Sequence, residues 1–167
     1  MSSSTVQAES SVRDFDFWMG SWHVHNRRLR RRLAGSDDWE EFAATSEARP
    51  ILGGHGNEDV FRTDHDGGFT GMSFRFFEPE TKRWWIYWAD SRRPGELDAP
   101  VIGAFDGDVG IFEGEEIFNG RPILVRFTWS GVTTSTPRWE QAFSDDGGRT
   151  WETNWVMEFT RADEEDR

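Results

Sequence analysis

Asn57 and Asp59 follow the glycine-rich run Gly53-Gly54-His55-Gly56 and alternate with Glu58 and Val60, and Phe61 continues their side of the chain. Residues two apart on a strand share a face. On an interior face, an amide and a carboxylate would enter an aromatic space, where loss of water raises the Asp59 pKa and equips it as an acid/base. Capping of a turn by the Asn and Asp side chains is the alternative. Gln141 lies between Trp139 and Phe143 on another alternating face, and a buried amide must find partners, either a side chain or a ligand. Arg75, on the Gly71-Ser73-Arg75 face, is a partner of that kind, a ligand's counter-ion or a surface residue. Trp84, Trp88 and Trp155 supply apolar walls for a cavity, or fill a core.

The run Arg27-Arg28-Leu29-Arg30-Arg31-Arg32 offers two chemistries. Pairing with Glu40, Glu41 and Glu47 on a neighbouring strand gives cross-strand ion pairs. If Trp22 points inward, so do Val24, Asn26 and Arg28, and an enclosed Arg28 guanidinium would bind a carboxylate or phosphate bidentately. His23 and His25 then point outward, and His55 and His65 fall in loops, so no metal site is expected. Ser144-Asp145-Asp146-Gly147-Gly148-Arg149-Thr150-Trp151 fits the Asp-box pattern SxDxGxTW, read here as a hairpin whose polar side chains bond the turn. There is no GxSxG elbow, no cysteine and no phosphate-cradling glycine loop, so neither a covalent nucleophile nor a cofactor is expected.

These side chains need a scaffold, and the composition names one. In 167 residues there are 10 Trp, 14 Phe and 17 Gly, which suits a sheet better than a helical bundle. Ten β-type runs, at about 21–33, 39–51, 57–63, 69–77, 83–90, 100–105, 110–118, 122–130, 137–144 and 151–161, are joined by turns such as Glu78-Pro79-Glu80-Thr81 and Asn119-Gly120. Connectors this short exclude crossover helices and leave an antiparallel meander, which closes most economically into a barrel. A short helical turn over Ser11–Met19, stopped by Gly20, would plug one end. On the last strand Trp155, Met157 and Phe159 share the inner parity and Asn154 and Glu158 the outer. Trp84-Trp85-Ile86-Tyr87-Trp88 is apolar on both faces, which marks 83–90 as an interface between two copies of the chain.

The domain is expected to span 13–161, between a Ser-rich tail (1–12) and an acidic one (162–167). With 31 acidic against 19 basic residues, a net charge of −12 disfavours nucleic acid as a partner. No run is long and apolar enough for a membrane helix, and the amino terminus lacks the charged and apolar regions of a secretory signal, so a cytoplasmic protein is expected.

Gly20-Ser21-Trp22, opening the first strand, resembles the GxW signature of the calycin barrels, the lipocalins and their relatives. The resemblance implies that Trp22 closes one barrel end beneath an Arg from the last strand, here Arg161. The segments DFWMGSW, GGHGN, WWIYWAD, GRPILVRFTWS and WEQAFSDDGGRTWETNWVMEFTR are similar to those of a bacterial family known only as a domain of unknown function, with lipocalin-like barrels. That likeness implies a fold and no reaction. The glycine-rich extension and carboxy-terminal His that mark haem-binding relatives are absent, which argues against haem.

The sequence therefore predicts an all-β, up-and-down calycin-like barrel of about ten strands that binds a small, partly apolar organic molecule. In that reading Trp84, Trp88 and Trp155 touch the apolar body, while Arg28, Asn57, Asp59, Arg75 or Gln141 fix a polar group. A second reading is a cofactor-independent cyclase or isomerase with Asp59 as acid/base. A third is a structural dimer with a filled interior.

Overall fold

The computed structural model describes residues 10–162. Ten strands run in chain order: β1 (Gly20–Leu29), β2 (Trp39–Ile51), β3 (Gly56–Thr63), β4 (Phe69–Glu78), β5 (Arg83–Asp90), β6 (Val101–Asp106), β7 (Val109–Phe118), β8 (Arg121–Ser130), β9 (Arg138–Ser144) and β10 (Glu152–Arg161). Each pairs antiparallel with its neighbours, and β1 pairs with β10, so the sheet closes into a barrel without a free edge. The expected all-β, calycin-like barrel of ten strands is thus present, and among the described residues helix is confined to isolated 3-10 turns such as Asp16–Trp18.

Turn chemistry sets the register. Asn119 and Gly120, both at positive φ, form the two-residue connection of β7 and β8 and bring Phe118 opposite Arg121. Gly20 has φ +107, a conformation that favours glycine, and a Cβ there would stand 2.7 Å from an Arg161 guanidinium nitrogen and push that side chain aside.

One barrel end is plugged. Residues leading into β1 fold back beneath it, and Phe15 meets Trp84, Phe105 and Trp129 edge to face. Trp18 stacks on Trp22, and Arg161 covers the Trp22 ring at 3.8 Å. Arg161 also donates to the carbonyls of Met19 and Phe17, which locks the last strand to the plug. Trp22 and Arg161 thus stand in the closure arrangement that the resemblance implied.

Three expectations change. β1 stops at Leu29 rather than 33: the Arg30 amide donates to the Asp38 carbonyl, and Leu33 adopts φ +54, so Arg30–Leu33 belong to a connection. A β-bulge between Thr153 and Trp155 turns Asn154 to the interior, although alternation had put it outside. Ser10, assigned to the loose tail, is buried, donates to Asp14 and accepts from the Phe105 amide. Positions 1–9 and 163–167 of the expected tails lie outside the described residues. Among the described residues no helix is long and apolar enough to cross a membrane.

Candidate functional site

In an up-and-down barrel the odd-numbered strands all end on one side. The connections after β1, β3, β5, β7 and β9 therefore ring the end opposite the plug. Between this rim and the plug lies a cavity of about 450 Å³, within the range of sites for small organic ligands. Its walls include Phe61, Trp88, Phe127, Trp139 and Trp155, with Gln141, Ser46 and Ser73 as polar residues among them.

Its floor carries charge. Asn57, Asp59 and Phe61 share the buried face of β3, as their alternation predicts, and Arg75 approaches from β4. The Arg75 guanidinium lies 2.7 Å from Asp59 Oδ1 and donates to Asn57 Oδ1 at 2.9 Å. It also sits 5.1 Å from the Phe15 ring and 5.9 Å from Trp129, so the floor is an ion pair resting on the aromatic plug. Trp18 Nε1 donates to Asp59 from below at 3.4 Å. Asp59 and Arg75 line the cavity, and Asn57 stands behind them as a partner. Asp59 therefore meets a guanidinium rather than the purely aromatic surroundings expected from its neighbours in sequence.

Trp88, Trp155 and Gln141 line the wall as expected. Gln141 donates one N–H to Asn154 Oδ1 at 2.9 Å, which leaves its carbonyl oxygen and its second N–H unused by that bond. Trp84 points inward but belongs to the plug, where its indole N–H donates to Asp14. Arg28 also points inward without lining the cavity. Its Nε and Nη2 both donate to Glu40 Oε1, and its guanidinium lies between the rings of Phe42 and Trp155. Both chemistries foreseen for Arg28 thus meet in one residue, an enclosed guanidinium already held by its cross-strand carboxylate.

Glu40 also bonds His65, whose ring stacks on Phe42, and Asp66 lies 3.1 Å from the same imidazole. Glu40, His65 and Asp66 place three potential ligand atoms within 4.8 Å of one another, a grouping hidden by their separation in sequence. Arg28 already supplies the cation there. Burial works to raise the Glu40 pKa, but the hydrogen bonds from His65 and Arg28 outweigh it and hold the carboxyl below its ordinary value.

At the rim, Trp88 Nε1 donates to Asp90, and Arg92 grips the same carboxylate bidentately. Burial alone would push Asp90 up, yet these hydrogen bonds bring its pKa from 3.8 down to about 2. Because the folded value is the lower one, the pair stabilises the fold above about pH 4, and that contribution is lost as pH falls towards 2. Asp90→Asn is expected to cost about 2 kcal/mol at neutral pH and to flatten the stability curve between pH 4 and 2. Urea titrations across that range check this, and an unchanged slope would refute it.

Sequence reasoning missed Arg32. It lines the cavity from the β1–β2 connection, its guanidinium 5.8 Å from the Phe143 ring, and among the described residues it forms no hydrogen bond or ion pair. Its pKa is pushed down by burial and then by Arg28 and Arg92, with Glu116 and Glu40 opposing. Glu116, across the rim, is pushed up by burial and by Asp98. The signals for Arg32 were its membership of the basic run and its place in the expected run 21–33 on the face of Trp22 and Arg28, but β1 ends at Leu29 and Arg32 comes from the connection instead.

The Asp-box segment is a braced turn: Asp146 accepts from the Thr150 hydroxyl, from the amides of Thr150 and Arg149 and from the Ser144 hydroxyl. These bonds hold its carboxyl well below the ordinary range. Compared with known proteins, the chain matches no family model and no curated sequence.

Proposed function

We propose that the barrel binds a small, partly apolar organic molecule between the plug and the rim. The observation that carries this is the cavity of about 450 Å³, walled mostly by aromatic and aliphatic side chains, with Ser46, Ser73 and Gln141 as its neutral polar groups and its charged residues at the floor and the rim. A filled core would have collapsed such a space, since protein interiors are close-packed. The cyclase or isomerase reading has less behind it, because Asp59 serves Arg75 and Trp18 and a proton-transfer role would have to break that pair. Outside the barrel, Tyr87 stacks on Phe74 at 5.2 Å and lies 5.4 Å from Phe76, and this supports an interface between copies on β5.

Gly71 makes the binding reading testable. A Cβ on Gly71 would stand 1.9 Å from Trp88 Cη2, so the indole rests on bare backbone. Gly71→Ala is expected to drive Trp88 into the cavity at a cost of about 1–3 kcal/mol. Native mass spectrometry of the purified protein should show extra mass, absent on denaturation, that quenches tryptophan emission on return. Gly71→Ala should lose both signals while staying folded. If the wild type carries nothing and stays optically silent across a broad panel of small molecules, the reading fails.

A further inference from the structure

The cations that line the cavity are paired with one exception. Asp59 holds Arg75, Asp90 holds Arg92, and Asp98 holds Arg93 at 2.9 Å. Arg32 alone among the lining cations has no carboxylate within ion-pair distance among the described residues, although it is half-buried with Arg28 and Arg92 nearby. A guanidinium cannot shed its charge, so a partly desolvated one calls for an anion. Its placement is not casual: the next residue, Leu33, packs against the core, and its amide donates to Glu152 at 2.7 Å, which fixes the connection over the cavity.

Resting on the binding reading above, we propose that the ligand is a flat, ring-bearing monocarboxylate that enters rings first and leaves its carboxylate on Arg32. The opposite orientation is disfavoured, because an acid carried to the floor would meet Asp59, whose guanidinium is already taken. A phosphate monoester fits less well. It brings nearly two charges into a rim that also presents Asp98, Glu115 and Glu116. The walls then set the body: Trp88, Trp139 and Trp155 offer broad faces to a ring system.

One further group follows from the strand geometry. Phe143, beneath Arg32, and Gln141 share a face two residues apart, about 7 Å along β9. One of the two Gln141 amide N–H groups is committed to Asn154, so the side chain offers a ligand its carbonyl oxygen as an acceptor and its second N–H as a donor. A hydroxyl or ring N–H some 7 Å or more inward of the carboxylate would meet it there.

Calorimetric titration tests this with a naphthoate bearing a hydroxyl on its far ring, the primary amide of that acid and naphthyl phosphate, on wild type, Arg32→Gln and Gln141→Leu. The acid should bind wild type about tenfold or more tightly than the amide. Arg32→Gln should remove that preference, bringing the acid down to the affinity of the amide, while the protein still unfolds cooperatively because the side chain holds no hydrogen bond or ion pair among the described residues. Gln141→Leu should weaken acid and amide alike. Equal binding of acid and amide to wild type overturns the monocarboxylate, as does tighter binding of the phosphate. If none of the three binds and the purified protein also carries no ligand, the binding reading itself fails.

Discussion

Arg75→Met is expected to destabilise the protein by about 3–5 kcal/mol, because it strands a buried carboxylate. Asp59 is 4 % exposed, and its remaining partner would be the Trp18 N–H at 3.4 Å, too long and too weak to replace a guanidinium at 2.7 Å. Asn57 loses its donor in the same step. Asp59→Leu should cost a similar amount for the converse reason, since Arg75 would keep its charge above the aromatic plug with only an amide oxygen to face. The decisive species is the double variant. Replacing both members of a buried pair by apolar groups of similar volume is often neutral, so Asp59→Leu with Arg75→Met should recover most of the loss. Urea denaturation of the four proteins gives the cycle. A single variant that loses less than about 1 kcal/mol would mean that the pair is wetter, and worth less, than its burial implies. Ligand titration of the double variant adds a second reading: unchanged affinity would place the pair beneath the ligand rather than against it.

Why the barrel could be read from the chain, and the site only in part, follows from what alternation encodes. Parity reports which face a side chain occupies. It placed Trp22, Val24, Asn26 and Arg28 inside and His23 outside because β1 runs unbroken through them. It does not report height. Trp84 and Trp88 share the inner face of β5, yet four residues, about 13 Å of strand, separate them. One therefore belongs to the plug and the other to the cavity wall. Parity also fails where the ladder slips, which is how Asn154 came to be buried against Gln141. It has nothing to say beyond a strand's end: the expected run 21–33 included Arg32, whereas β1 stops at Leu29 and Arg32 reaches the cavity from the β1–β2 connection. Nor does it name partners across the barrel: that Arg75 would neutralise Asp59 depended on the register of β3 against β4, which pairs Asn57 directly with Arg75.

Trp18→Ala should cost about 3–5 kcal/mol and leave a hole that a small aromatic molecule can fill. The residue sits in a three-residue 3-10 turn, too short to hold itself, so its position depends on tertiary contacts. That packing is extensive: it stacks on Trp22 at 5.3 Å and meets Phe159 and Trp129 edge-on at 4.7 and 5.0 Å. Its carbonyl accepts the Trp22 indole N–H, so the turn and the first strand fix each other. Because Trp18 also forms part of the cavity floor, truncation should join the new void to the existing cavity. Free indole ought then to raise the Tm of Trp18→Ala in a concentration-dependent manner, as any ligand of the native state does, by more than it raises that of wild type. Stability close to wild type would make the plug an ornament of the barrel rather than its closure. A large loss that indole does not repair would mean that the end collapses when the ring is removed, and that the cavity floor exists only while Trp18 holds it up.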